Sequence, residues 1–272
     1  MIDLKSKKTL IMGVINITPD SFSDGGKFYN LEKALSHSKK LINEGADILD
    51  IGGESTRPFS KSVPPEEEIN RVVPVIKNLR KITDLPISID TNKAIVAKNA
   101  ILSGASIIND ISALSFDYEM AELASDSNSH LVLMHMKGTP ETMQKNPSYS
   151  NIIDELLNFF EERIEFALKK GIKKEKIILD PGIGFGKTLE HNILIIKKID
   201  QLKALGFPIL IGTSRKTFIR KLVGKDDLPN DEDVITGSVA SVCAACLNGA
   251  KIVRVHDVKE TRAALKVIDA LI

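Results

Sequence analysis

Short runs of aliphatic and β-branched residues recur along the chain. Each is followed by a polar loop and then by a stretch whose apolar positions repeat every three to four residues. The runs predict strands at 9–16, 48–52, 87–90, 107–109, 130–134, 177–180, 209–212 and 252–255. The intervening stretches predict helices at 31–44, 66–81, 93–102, 118–125, 152–170, 189–205 and 259–271. Gly45, Gly104, Gly171 and Gly206 stand where helices should stop, and Pro64 and Pro65 where one should start. The strands are nearly continuous apolar runs, as expected when both faces are covered. Eight such strands alternating with helices make an α/β chain of parallel βαβ units. In this length they favour a closed (β/α)8 TIM barrel, a single domain over residues 1–272.

Composition narrows the classes. Of 272 residues, 43% are hydrophobic and 27% charged, ordinary for a globular protein that needs no disulfide or metal to fold. Thirty-seven basic against 36 acidic residues leave a net charge of +1, which argues against nucleic-acid binding. No apolar run reaches the roughly 18 residues of a membrane span, so no membrane partner is expected. The charged start leads into an apolar run without a small-residue cleavage site, which does not read as a signal peptide. Cys243 and Cys246 fit a reducing, cytoplasmic setting. They lie in a small-residue helical run, which makes them core residues one turn apart rather than a redox pair. The charged stretch 225–233 reads as a solvated loop.

Polar residues gather at the carboxyl ends of the predicted strands: Asn16, Glu54, Asp90, Asn109, His135, Asp180, Ser214-Arg215-Lys216, Arg254 and His256. Taken singly, Asp90 and Asp257 pass as helix caps, and Asn109-Asp110 and Asp180-Pro181-Gly182 as turn formers. In a barrel they surround one mouth, where such folds place chemistry. Asp90, Asn109 and Asp180 offer acceptors for a ligand with ring N–H and amino donors. Lys216, Arg254 and His256 offer positive charge for a phosphate or diphosphate. Asn16 is a neutral oxygen that could complete a Mg²⁺ shell shared with phosphates. A flat heterocycle with a phosphorylated tail satisfies both halves.

Two long polar loops, 18–26 and 52–58, would lie over that mouth as lids. The segment Gly182-Ile183-Gly184-Phe185-Gly186-Lys187-Thr188 imitates a phosphate-binding P-loop, but Pro181 stands where that motif needs its first glycine. Its glycines are better read as letting the backbone approach a planar ligand beside Phe185.

The order and wording of these motifs resemble the dihydropteroate synthases of folate biosynthesis. The resemblance rests on Asn16-Ile17-Thr18-Pro19-Asp20-Ser21-Phe22-Ser23-Asp24-Gly25-Gly26, Gly52-Gly53-Glu54-Ser55-Thr56-Arg57-Pro58 and Ser88-Ile89-Asp90-Thr91. It continues through Asn109-Asp110-Ile111-Ser112, Leu133-Met134-His135-Met136 and the run from Asp180 to Lys187. Gly212-Thr213-Ser214-Arg215-Lys216 and Arg254-Val255-His256-Asp257-Val258 complete it, so it spans nearly the whole chain.

The resemblance implies a transferase. It would join 6-hydroxymethyl-7,8-dihydropterin diphosphate to 4-aminobenzoate, releasing 7,8-dihydropteroate and diphosphate with Mg²⁺, in a homodimer that sulfonamides inhibit. It implies a pterin pocket of Asp90, Asn109, Met134, Asp180 and Lys216. A diphosphate and metal region would hold Asn16, Arg254 and His256. An aminobenzoate region would be framed by Thr56, Arg57, Pro58, Phe185, Ser214 and Lys216, with Phe22 closing over it. Phe59 and Ala113 depart from the family pattern, where glycine is common, and would alter loop shape without removing a group the chemistry needs.

The chemistry expected is a dissociative substitution. Mg²⁺, Arg254 and His256 would neutralise the leaving diphosphate, and Asp90 would stabilise the cation shared by the dihydropterin ring. Two alternatives are a methyltransferase using methyltetrahydrofolate, which needs no diphosphate site, and a non-catalytic pterin-binding paralogue, which should have lost mouth residues.

Overall fold

Parallel strands wrap around a common axis with helices outside them. The structure, a computed structural model, describes residues 2–4, 6–17, 27–56, 60, 62–224 and 231–272. The strands are β1 (Leu10–Asn16), β2 (Ile48–Gly52), β3 (Ile87–Asp90), β4 (Ile107–Asp110), β5 (His130–Met134), β6 (Ile177–Asp180), β7 (Leu210–Ile211) and β8 (Ile252–Val255). They pair in the order β6-β5-β4-β3-β2-β1-β8-β7, and a bridge between Leu179 and Ile209 brings β6 to the start of β7. The result is a nearly closed (β/α)8 barrel. The outer layer comprises α1 (Lys27–Glu44), α2 (Pro65–Leu79), α3 (Ala94–Leu102), α4 (Glu119–Asp126), α5 (Ile152–Lys169), α6 (Leu189–Lys197), α7 (Ile199–Lys203), α8 (Thr217–Val223), α9 (Asp231–Leu247) and α10 (Val258–Leu271).

The period-2 alternation of a strand divides the core in two. Leu10, Met12, Ile48, Ile107, Val132, Ile178, Leu210 and Ile252 form a separate cluster that fills the barrel interior. Their neighbours, such as Ile11, Leu49, Ile89, Ile108, Leu131, Leu179 and Val253, pack outward beneath the helices. Two residues beyond the interior cluster, the same inward-facing positions turn polar. Ile48 is followed by Asp50, Ile107 by Asn109, Ile178 by Asp180 and Ile252 by Arg254. The sheet register aligns Asn16 with Gly52, Gly52 with Asp90, and Asp90 with Asn109, a lateral row across four strands. An apolar floor and a polar rim are thus one property of the strand sequences.

Several expectations need correction. The helix expected at 189–205 breaks at Lys198, whose φ of −120° and ψ of 24° leave the helical region, so α6 and α7 are separate. Strand β7 is only Leu210–Ile211, because Gly212 leads directly into the turn before α8. Helix α8 lies in a stretch where the apolar pattern predicts no element. Asp231, Glu232 and Asp233, read as loop, form the first turn of α9, where acidic side chains complement the helix dipole. Residues 225–230 lie outside the described residues, as do Phe22, Arg57, Pro58 and Phe59. Cys246 is buried and Cys243 half-buried, and both are free thiols.

Candidate active site

The floor of the mouth is an ionic cluster. Arg254, from β8, donates through Nε to Asp50 Oδ2 and through Nη2 to Asp90 Oδ2, both at 2.7 Å. Asn109 Nδ2 stands 3.4 Å from the same Asp50 oxygen. Asp50 Oδ1 and Asp90 Oδ1 are buried and have no hydrogen-bond partner. A buried polar oxygen without a partner costs free energy, so these two acceptors are available to a donor-rich ligand. Burial pushes the Asp90 carboxyl up to about 7; Asp50, Glu68 and Asp110 add to this, and Arg254 opposes it. The two carboxylates hold the guanidinium firmly charged despite its burial.

The opposite wall is built by β6 and the segment that follows it. Asp180 is buried and accepts from the Gly182 amide at 2.7 Å. Burial raises its pKa, while the Lys216 charge pulls it down. Lys216 donates to the Ile183 carbonyl and holds its ammonium 4.5 Å from the centre of the Phe185 ring. Burial lowers the Lys216 pKa to about 8, with Asp180 and Asp90 resisting and Arg254 assisting. Asp90, Asp180, Lys216 and Arg254 therefore feel one another's charge across a single mouth.

The remaining candidates fall around this centre. Met134 is buried in register with Asp180. Ser214 Oγ lies 3.1 Å from His256 Nδ1 and accepts from the His256 amide at 3.2 Å. Asn16 Oδ1 and Asp90 Oδ2 flank Gly52, at 3.6 and 3.7 Å from where a side chain there would begin. Thr56 and Asp90 line a small cavity with Glu68 and Asn92.

Asp257 precedes α10 but makes no capping bond, because its carboxylate takes the Arg215 guanidinium, with Nε at 2.9 Å. Asp90 does not cap α3, whose Ala94 amide is bound by Asp117 at 2.7 Å. In the pair Asn109-Asp110, Asp110 alone forms the turn, accepting from the Ser112 and Leu114 amides at 2.8 and 2.7 Å. Asn109 is left facing the barrel.

Three groups behave differently from the expectation. Acceptors and cations do not divide into two halves, since Arg254 sits between carboxylates. His135 turns away from the mouth, its ring edge-on to Phe159 of α5 with centroids 4.8 Å apart. Glu54 is committed to structure: it accepts from Lys93 Nζ at 2.5 Å and from the Val63 amide at 2.7 Å. Lys93 also reaches Glu68 at 2.6 Å.

Asp50 is the site residue that sequence reasoning missed. It sits inside an apolar strand rather than at its end, and its signal was the inward-facing parity it shares with Ile48. Among the described residues, no three His, Cys, Asp or Glu side chains are grouped to hold a metal ion, and no helix is long and apolar enough to cross a membrane.

The chain matches a family model described as pterin binding enzyme over residues 12–256. It is 46% identical to a dihydropteroate synthase of Synechocystis over 97% of this chain and 91% of that relative. A crystal structure of the Clostridium difficile dihydropteroate synthase with pteroic acid superposes with a TM-score of 0.92 at 43% identity, covering 100% of this chain and 99% of the other. The Xanthomonas albilineans dihydropteroate synthase with 4-aminobenzoic acid gives 0.91 at 42% identity, with 99% and 94% covered.

Proposed function

The chain belongs to the dihydropteroate synthases of the pterin-binding enzyme family, and on that premise we propose how its residues perform the transfer. The reaction joins 6-hydroxymethyl-7,8-dihydropterin diphosphate to 4-aminobenzoate, yielding 7,8-dihydropteroate and diphosphate. The observation that carries this reading is the joint placement of Asp50, Asp90, Asn109 and Asp180 with Arg254 and Lys216 in one barrel mouth. A pterin presents ring N–H and amino donors, and the unpartnered buried carboxylate oxygens are acceptors suited to them. Asp180, Asn109, Met134 and Lys216 bind and orient the ring. Asp90 faces the positive charge that spreads into the ring as the carbon–oxygen bond to diphosphate breaks.

Arg254 and His256 meet the diphosphate as negative charge collects on it. The methylene cation is then attacked by the aminobenzoate nitrogen, which loses a proton, so no nucleophilic side chain takes part. Phe185, Ser214, Lys216 and Thr56 frame the aminobenzoate in this reading. Arg57, Pro58 and Phe22 are assigned to this region from the family pattern alone.

Mg²⁺ fits the donor set in one way. With no three-residue metal cluster among the described residues, the ion would take Asn16 Oδ1 as a neutral protein oxygen and fill its shell from phosphate and water. Bound there, it supplies charge neutralisation to the leaving diphosphate. The same reading takes the protein as a cytoplasmic homodimer, with all 272 residues in one catalytic domain and no nucleic-acid or membrane partner.

The deciding experiment follows diphosphate release from the pterin diphosphate with and without 4-aminobenzoate and Mg²⁺. Release tied to dihydropteroate formation is expected. Methyl transfer from methyltetrahydrofolate, or pterin binding without turnover, would overturn the assignment.

A further inference from the structure

The segment that imitates a P-loop is fastened carbonyl by carbonyl. The Ile183 carbonyl accepts from Lys216, Gly184 from Gln144 Nε2 at 2.7 Å, Phe185 from Lys187 Nζ at 3.0 Å, and Gly186 from Tyr149 Oη at 2.8 Å. Gly182, Gly184 and Gly186 hold φ at +68°, +82° and +64°, so alternate residues adopt a conformation L side chains resist. A Cβ on Gly186 would stand 2.6 Å from the Lys137 carbonyl oxygen, so the segment lies directly on the backbone leaving β5.

Lys187 is 3% exposed. Its Nζ lies 3.0 Å from His135 Nδ1, 3.4 Å from the His135 carbonyl and 3.0 Å from the Phe185 carbonyl. An ammonium donates to all three, and a neutral amine donates to both carbonyls while accepting from a ring N–H. Burial drives the amine towards the neutral form, and the nearby Asp180 resists. The His135 ring is itself fixed by Phe159. Lys187 therefore ties the backbone of Phe185 to the end of β5.

We propose that Lys187 is a positioning residue that, anchored on His135, holds the Phe185 backbone and so sets where the Phe185 ring stands beneath Lys216 at the arylamine end of the site. This rests on the transferase reading given above. Lys187 touches neither substrate in it. Of the pterin residues, Asp90 and Asn109 hang from other strands, and Met134 and Asp180 are held by the β5–β6 register, so loss of the anchor falls mainly on the arylamine.

The test compares the full-length protein with Lys187→Met, and with Gln144→Leu and Tyr149→Phe, which remove neighbouring clamps without emptying the interior. Hydrogen–deuterium exchange across 182–188 and KM for both substrates are the readouts. In Lys187→Met, exchange in that segment should quicken about tenfold and KM for 4-aminobenzoate rise about tenfold, with KM for the pterin diphosphate within about twofold. Each clamp variant should raise the arylamine KM about threefold. Should Lys187→Met fail to fold, His135→Phe, which removes the ring nitrogen that Lys187 Nζ meets, carries the same direction of change in exchange and in the arylamine KM. Unchanged exchange overturns the proposal, as does a parallel rise of both KM values. If the unaltered protein makes no dihydropteroate, the transferase reading fails, and exchange alone upholds or overturns the anchoring.

Discussion

Arg254 and Asp90 meet at 2.7 Å across the barrel mouth, with the second side of the guanidinium held by Asp50. Removing the cation strands two buried carboxylates. Arg254→Met should lose about 3–5 kcal/mol of unfolding free energy at pH 7, measured by urea denaturation. The sign with pH follows from Asp90. Its carboxyl is already raised to about 7 against the pull of Arg254, and without that pull it rises further. A raised folded-state pKa makes stability fall as pH climbs from the unfolded value towards the folded one. Below about 7 the carboxyl is protonated in both folded proteins, so the deficit should widen as pH rises above about 7 and level off beneath it. A deficit independent of pH would remove Asp90 from the cluster's energetics.

Asp90 and Asp180 are both buried carboxylates, and the proposed mechanism gives them different work. Asp90→Asn keeps a hydrogen-bonding side chain but loses the charge proposed to face the developing cation. Turnover should fall about a hundredfold while pterin affinity changes less than about tenfold. Unchanged turnover in single-turnover kinetics would end that assignment.

For Asp180→Ala the loss should appear in binding. Its carboxylate shapes the Gly182 turn and is proposed to face the ring, so pteroic acid should bind about a hundredfold more weakly by calorimetry. Near-normal affinity would refute the pterin role.

Lys216 supplies an alkaline limb. Burial lowers its pKa to about 8, so the free protein loses this cation as pH rises through that value. The ratio kcat/KM for the pterin diphosphate should fall above about pH 8, and Lys216→Met should be low and flat over the same range. A limb that persists in Lys216→Met would assign the titration to another group.

Gly182 tests the turn itself. Its φ is +68°, and an added Cβ would overlap the His135 carbonyl oxygen. Gly182→Ala should cost more than about 2 kcal/mol in thermal unfolding and loosen Asp180. Wild-type stability would show that the backbone can shift at that position.

The eight-unit alternation was legible because strand and helix periods differ and because glycines end the helices where the chain turns back. Strands β2, β3, β5, β6 and β8 begin and end where their apolar runs do. The helix break at Lys198 was not legible, since the apolar spacing continues through it. Asp90, Asn109, Asp180, Lys216 and Arg254 were readable as rim residues from their place at strand ends. The commitment of Glu54 and His135 to structural contacts was not, because a polar residue at a strand end looks the same whether it faces the mouth or a helix.

What the amino-acid order determined by itself was the set of inward-facing positions, through the period-2 alternation of each strand, and the motifs that mark the family. What tertiary structure decided was pairing. Arg254 reaches Asp50 across 204 residues of sequence, and only the pairing of β8 and β2 on either side of β1 brings the two within reach. Burial in that closed mouth removes the water that would otherwise screen each charge. For that reason the shifted carboxylates, the buried lysines and the division of labour among them belong to the folded chain.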